Sequence, residues 1–405
     1  MISIEKALSI ILDRIRPLES TSLVLSDCPG RVLAENISAR ENIPPFANSA
    51  MDGYAVRAAD TRGASPENPV TLAVLEDLPA GQVSPTTVET GRAIRIMTGA
   101  PLPAGADAVV MVEDTREGTG VEIMKAVTEG ENVREVGESV QKGDIVLTVG
   151  TVLRPQEIGM LAALGYPRAA VIPPPRVTII STGDELQNIE EDLLPGKIRD
   201  CNRYSLAAAV RQYGGIPATL GIAPDRKEDL KKILSVALTT DLVLTSGGVS
   251  VGKYDLVREA LREMGGELLI RQVAMKPGKP LTFTAVKGVP VFSLPGNPVS
   301  VLISFLQFVR PALLKMQGKK KLRQPEVEAV LLEDCDERTE RTHLVRVSVS
   351  REGEGYSVRP TGPQGSGILR SLVIADGLMV IPPNAGPLRK GAMVRVILTD
   401  EPEHE

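Results

Sequence analysis

Lys276 and Lys279 bracket a Pro-Gly pair in the loop Lys276-Pro277-Gly278-Lys279-Pro280. The prolines restrict the backbone, so both ammonium groups are held in place before a ligand arrives. Their natural partner is phosphate or another oxyanion. An ordinary surface turn explains less well why two prolines fix two like charges. A second anion-seeking stretch is Ser246-Gly247-Gly248-Val249-Ser250-Val251-Gly252. It leaves an apolar run and enters a helical one, so its glycines let backbone N–H groups approach an anion beside a helix N-terminus. It lacks the Gly-Lys-Ser/Thr of a phosphate-binding P-loop and is not a dinucleotide fingerprint.

Carboxylates flank these loops. Asp225 opens Asp225-Arg226-Lys227-Glu228, the pattern of a capping box, and Asp255 begins the next helical run, so each reads first as an N-cap. Together with Asp184 and Glu185 in Ser181-Thr182-Gly183-Asp184-Glu185, they also form a set of acids that would repel a phosphorylated ligand without a divalent cation between them. The sequence has only two histidines, His343 and His404, and three scattered cysteines, Cys28, Cys201 and Cys335. A His/Cys zinc site is nearly excluded, as is a Ser-His-Asp triad unless His343 serves. Oxygen ligands favour Mg²⁺.

The elements that must position these groups alternate strand and helix from Arg176 to Lys315. Strands are expected near 177–181, 216–222, 242–245 and 291–294, and helices near 205–213, 225–238, 255–264 and from Asn297-Pro298 to Met316. Residues 268–273 and 281–286 flank the lysine loop like a hairpin. This alternation specifies a doubly wound, mainly parallel sheet, in which ligands bind beyond the strands' carboxyl ends. Residues 46–138 show short strands separated by Gly/Pro turns and read as a β-rich domain inserted into a domain made from 1–45 and 139–172. The α/β domain spans 173–321. From 322 to 405 only short strands recur, which fits a C-terminal β-barrel or sandwich, the barrel being the expectation adopted. Residues 4–15 carry an apolar stripe after an N-capping Ser3 and need a partner surface.

Composition narrows the function classes. The net charge of −5, the 3% aromatic content and the absence of Trp argue against a nucleic-acid binder. No apolar run approaches the ~20 residues of a membrane span. The N-terminus lacks a signal-peptide pattern, and the cysteine usage suits a reducing cytoplasm. Three further places stay open from the residues alone: Asn48-Ser49-Ala50-Met51-Asp52-Gly53-Tyr54-Ala55, Thr98-Gly99-Ala100-Pro101 and Thr361-Gly362-Pro363-Gln364-Gly365-Ser366. Each is readable as a simple turn. Arg346 lies in an alternating strand, where a surface position is the ordinary expectation.

Taken in order, these motifs, with Met97-Thr98-Gly99-Ala100-Pro101, Thr245-Ser246-Gly247-Gly248 and Leu294-Pro295-Gly296-Asn297-Pro298, carry a resemblance that spans essentially the whole chain. The chain resembles the molybdopterin molybdenumtransferase (MoeA) family, which is similar to the E domain of gephyrin. The resemblance implies a cytoplasmic, Mg²⁺-dependent transferase for the last step of molybdenum cofactor assembly. Molybdate, or tungstate, meets adenylylated molybdopterin; the metal enters the dithiolene and AMP leaves. It implies catalytic roles for Asp52, Thr98, Glu185, Asp225, Asp255, Lys276 and Lys279, with Mg²⁺ on Asp225 and Asp255. Thr182, Gly183, Ser246, Gly247, Gly248, Ser250, Pro295, Gly296 and Asn297 would bind the adenylylated pterin. Lys276, Lys279, Arg346 and Ser366 would hold molybdate. A homodimer with sites shared between subunits is also implied. Two other readings compete: a pyrophosphate- or amide-cleaving hydrolase of the molybdopterin-binding superfamily, which leaves the flanking domains unexplained, and a non-catalytic scaffold, which leaves the intact charged motifs unexplained.

Overall fold

The computed structural model describes residues 1–248, 256–337, 339–353 and 355–399. The chain divides into two compact units, one of Met1–Thr21, Gly30–Ala34 and Ala170–Glu405, the other of Ser22–Pro29 and Glu35–Ala169.

The first unit holds the alternating segment. Its strands are β1 (Arg176–Thr182), β2 (Ile216–Ala223), β3 (Leu242–Ser246), β4 (Glu267–Ile270), β5 (Met275–Lys276), β6 (Thr282–Val286) and β7 (Val289–Leu294). The sheet runs β2-β1-β3-β7-β6-β4. The pairings among β2, β1, β3 and β7 are parallel, whereas β6 and β4 add antiparallel edges. β1 and β3 are buried almost throughout, as expected of parallel strands covered on both faces. From β1 the chain winds outward to β2 and then back to β3. The topological switch point therefore falls between Thr182 and Ser246, at adjoining strand ends.

The main helices of this unit are α1 (Ile4–Arg14), α2 (Asn202–Gln212), α3 (Lys227–Ala237), α4 (Leu256–Glu263) and the continuous α5 (Pro298–Met316). Ser3 caps α1 by accepting the Lys6 N–H at 3.2 Å. The apolar stripe of α1 is no free partner surface: Ile4, Ala7, Leu8 and Ile11 join one core with Phe305, Phe308 and Leu313 of α5. Against the expectation of no span-like segment, the 19-residue α5 is long and apolar enough to cross a membrane by length and composition; 72% of its 18-residue apolar window is buried inside the protein. Its middle turn, Phe305–Val309, widens to π geometry just before Pro311. Proline has no N–H to offer the preceding turn, and a π-turn accommodates that loss.

Five further strands, β8 (Glu326–Leu331), β9 (Thr342–Glu352), β10 (Gly355–Pro360), β11 (Gly377–Ile381) and β12 (Met393–Leu398), form a closed barrel in the order β9-β10-β8-β12-β11, with β11 returning to β9. Val345, Val347 and Val349 of β9 fill its interior. β5 pairs with β9 from outside in parallel, setting Met275 opposite Thr342 and Lys276 opposite His343.

The second unit is built on a six-stranded sheet ordered Ala108–Met111, Gly53–Val56, Arg92–Ile96, Val70–Leu78, Val121–Ile123 and Thr115–Glu117. Both faces are buried. Tyr54 and Val56 enter one hydrophobic cluster, and Ala55 between them enters the other.

Candidate functional site

The strand-end loops of the first unit wall a cavity of about 650 Å³. Glu185, Gly247, Gly248, Lys276, Lys279, Pro295, Gly296, Asn297 and Ser366 all line it. Thr182 and Ser246 lie buried beneath, at the ends of β1 and β3. Ser250 and Asp255 lie outside the described residues.

Glycine is required at the cavity floor. Gly247 has φ +91°, and a Cβ there would lie 2.2 Å from the Thr182 carbonyl oxygen. At Gly248, φ is +67° and a Cβ would meet Thr182 Oγ1 at 2.7 Å. No side chain fits either place. A Cβ on Gly183 (φ +141°) would crowd the Glu185 carboxylate, 2.5 Å away. Gly278 packs so closely on its neighbours that a Cβ there would lie 2.6 Å from Met275 Cε and 2.9 Å from Ser304 Oγ. The lysine loop is thus seated on the core.

Asn202, at the start of α2, ties two of these loops together. Its Nδ2 donates to Ser246 Oγ at 2.8 Å and to the Gly296 carbonyl at 2.7 Å. Sequence reasoning missed it because the helix was expected to begin near Ser205. Asn297 caps α5 by position, but its Nδ2 donates to Ser366 Oγ at 2.8 Å, and the Val299 N–H donates to the Ser366 carbonyl at 3.2 Å. The loop 361–366 is thereby stitched to the α5 N-terminus.

Asp225 is not an N-cap. α3 starts at Lys227 behind Arg226, with no side-chain cap. The Asp225 N–H instead points at Asp184 Oδ1, 3.5 Å away. The Asp225 carboxyl is raised above its usual range, first by burial and then by the charges of Asp184 and Glu185. This crowding of acids suits a hard cation. Among the described residues, however, no three His, Cys, Asp or Glu side chains are grouped as a ligand set.

Arg346 is not a surface residue; it is fully buried. It faces away from the barrel interior, but the loop after Thr361 covers that face. Its Nε donates to Ser371 Oγ at 3.0 Å and its Nη2 to the Gly365 carbonyl at 3.1 Å. Nη1 is buried without a partner among the described residues, and burial lowers the guanidinium pKa. Arg346 therefore supports the 361–366 loop from behind and does not line the cavity.

The lysines differ. Lys276 Nζ donates to Glu337 Oε2 at 2.8 Å, whereas Lys279 has no ion pair among the described residues. His343 Nδ1 lies 3.4 Å from the same Glu337 oxygen. His343 is fully buried, and among the described residues neither ring nitrogen makes a hydrogen bond, to a serine or to any other group. Burial, and then the Lys276 charge, lower its pKa to about 4. Arg341 also lines the cavity, its Nη1 donating to the Met275 carbonyl at 3.1 Å. Glu337 and Arg341 stand in the charged stretch between β8 and β9, to which sequence reasoning assigned no role.

In the second unit, Asp52 and Thr98 meet. Asp52 Oδ1 accepts from the Thr98 N–H and from Thr98 Oγ1, both at 2.7 Å. These bonds, the backbone one foremost, hold the exposed carboxyl below its usual range. Their loops are joined by the Gly99 N–H, which donates to the Ser49 carbonyl at 2.8 Å. Gly53 is fixed by packing, since a Cβ there would sit 1.9 Å from the Val110 oxygen.

A doubly wound sheet whose switch point opens into a cavity floored by glycines and flanked by lysines defines an α/β protein with a strand-end site suited to an anion. Comparison with known proteins agrees along the chain. Residues 2–165 match the MoeA N-terminal region (domain I and II), 178–315 a probable molybdopterin binding domain, and 328–399 the MoeA C-terminal region (domain IV). Molybdopterin molybdenumtransferase of Staphylococcus epidermidis is 36% identical over 406 residues, covering 100% of this chain and 97% of the relative. Molybdopterin molybdenumtransferase 2 of Mycobacterium tuberculosis is 39% identical over 403 residues, covering 98% and 99%. The crystal structure of the molybdopterin biosynthesis moeA protein from Pyrococcus horikoshii OT3 superimposes with a TM-score of 0.81 at 36% identity, covering 98% of this chain and 100% of that one. The chain belongs to the molybdopterin molybdenumtransferase family.

Proposed function

We propose that this protein transfers molybdenum from molybdate, or tungsten from tungstate, to adenylylated molybdopterin and releases AMP. The observation that carries this reading is the lysine-flanked cavity of about 650 Å³ at the sheet's switch point, in a chain related over its full length to molybdopterin molybdenumtransferases. A hydrolase reading leaves the matches at both flanks of the α/β domain unexplained.

Each residue then has a task. Backbone at Gly247 and Gly248 approaches the pterin phosphate without side chains in the way. Lys279, and Lys276 once it turns from Glu337, attract the oxyanion. Asn297 and Ser366 orient the ligand at the mouth of α5, and Arg346 holds the 361–366 loop in place behind them. Asp225, with Asp255, would hold Mg²⁺, and Asp184 and Glu185 add negative charge beside it. When bound, the cation supplies neutralisation of the pyrophosphate and of the charge that develops as AMP departs. In a homodimer, the partner subunit's Asp52 and Thr98 would complete each strand-end site.

Incubation with adenylylated molybdopterin, Mg²⁺ and either oxyanion should release AMP, with little release when the oxyanion or Mg²⁺ is omitted. AMP release indifferent to molybdate and tungstate refutes the transferase reading. Mixing Asp52→Ala with Asp255→Ala subunits tests the shared site. Verified heterodimers should regain one intact site of two, and failure to regain activity rejects the sharing.

A further inference from the structure

Glu337 presents an electrostatic puzzle: it puts a carboxylate on the wall of a cavity whose lysines suit an anion. Its Oε2 accepts from Lys276 Nζ at 2.8 Å and lies 3.4 Å from the Nδ1 of the buried His343. Three elements fix this arrangement. β5 carries Lys276, its parallel pairing sets His343 of β9 opposite, and the loop ahead of β9 brings in Glu337. The charged and titratable groups around the pair are Lys276, Arg341, His343 and Arg346, with the buried Cys335 thiol and Asp336 on the loop that carries Glu337. Burial opposes ionisation of Glu337, yet the Lys276 hydrogen bond and the neighbouring positive charges outweigh it and keep its carboxyl below the usual range. The cavity wall therefore carries a carboxylate already paired with one of its lysines.

We propose that Glu337 is a resident counter-ion that occupies Lys276 until a tetrahedral dianion displaces it, and that it thereby sets the affinity and charge selectivity of the oxyanion site. This rests on the reading that the cavity receives an oxyanion. Displacement requires the ligand to outcompete a carboxylate for one ammonium group. A dianion does so better than a monoanion, because Coulomb attraction scales with ligand charge. Freed from Lys276, the carboxylate turns its charge on His343, whose neighbourhood becomes more negative. Glu337 acts through Lys276 and is a positioning residue.

The test is calorimetric titration of the full-length protein and Glu337→Gln with molybdate, tungstate and perchlorate. Glu337→Gln should bind the dianions about tenfold tighter, equivalent to about 1.4 kcal/mol. Perchlorate, with half the charge, should gain only about threefold. Glu337→Asp, which keeps the charge, should stay near the parent. Equal gains for all three ions, or no gain for molybdate, overturn the proposal. If the parent and Glu337→Gln bind neither molybdate nor tungstate, the oxyanion reading itself falls, and this inference with it. A measurement on the unsubstituted protein does not depend on the variants folding. The chain has two histidines, so the His343 imidazole is separable by NMR, and its pKa should rise when tungstate binds. An unmoved His343 signal at tungstate saturation also overturns the exchange.

Discussion

Replacing Asn202 by Ala removes the side chain that joins two strand-end loops. Two donations vanish, to Ser246 Oγ at 2.8 Å and to the Gly296 carbonyl at 2.7 Å. A hydrogen bond contributes about 0.5–1.5 kcal/mol net, and a buried polar group left unpaired costs about 1–3 kcal/mol. Ser246 Oγ keeps a weak recourse at the Pro295 carbonyl, 3.5 Å away, so the larger share of the loss falls on the Gly296 carbonyl. A total of about 2–3 kcal/mol follows, which lowers the melting temperature by roughly 3–5 °C. Function suffers more than stability. With Gly296 untied, the floor that carries the glycines loosens, and a displacement of ~1 Å at a reacting site costs about 100-fold in rate. Thermal unfolding and AMP release are the assays. A double-mutant cycle with Ser246→Ala should return a coupling of about 1 kcal/mol. An Asn202→Ala protein within about 0.5 kcal/mol of the parent, with unchanged turnover, refutes the claim that Asn202 organises the floor.

Other substitutions test neighbouring claims. Gly247→Ala places a Cβ 2.2 Å from the Thr182 oxygen at φ +91°, so AMP release should collapse and ligand-induced thermal stabilisation should disappear. Asp225→Asn should raise the melting temperature at neutral pH while abolishing turnover. The Asp225 carboxyl lies above its usual range in the fold, so its ionised form opposes folding and its protonation on acidification favours it. A loss of stability on this substitution contradicts that assignment. Arg346→Leu should destabilise the barrel by about 3 kcal/mol through loss of charged hydrogen bonds, and should weaken oxyanion binding through the 361–366 loop. Proteolysis confined to that loop reads the effect. Thr98→Val keeps the backbone donor but removes the hydroxyl from Asp52, so the Asp52 pKa should climb part of the way back to its usual range, as NMR titration would register.

Much of this was legible along the chain because it depends on local pattern. The apolar runs of β1 and β3 and the glycines that follow announce covered strands with an open end, and the spacing of Ile4, Ala7, Leu8 and Ile11 announces a helix. What covers a face is a long-range matter. The α1 stripe looked unpartnered because its partner, α5, lies some 300 residues on. Arg346 follows the in-out alternation of β9 as expected, but alternation only says which residues leave the barrel interior. It does not say that a later loop buries the outer face. Asp225 matched a capping box, yet the helix begins two residues later and the carboxylate is left to its acidic neighbours. Glu337 and Asn202 carried no signal, because their roles arise from which strand lies beside which.

The parallel pairing of β5 with β9 has a consequence for how the protein is divided. The lysine loop belongs in sequence to the α/β segment, yet the strand that opens it, Met275–Lys276, finds its backbone partner in the barrel. A chain cut after α5 would retain its parallel sheet and the glycine floor, but the lysine loop would lose its rail and Lys276 its carboxylate. The barrel is therefore no detachable appendage. Docking β5 on the closed ring and setting the spacing of the site's cations are a single act of assembly, and a fragment without the barrel should bind anions diffusely rather than at one defined point.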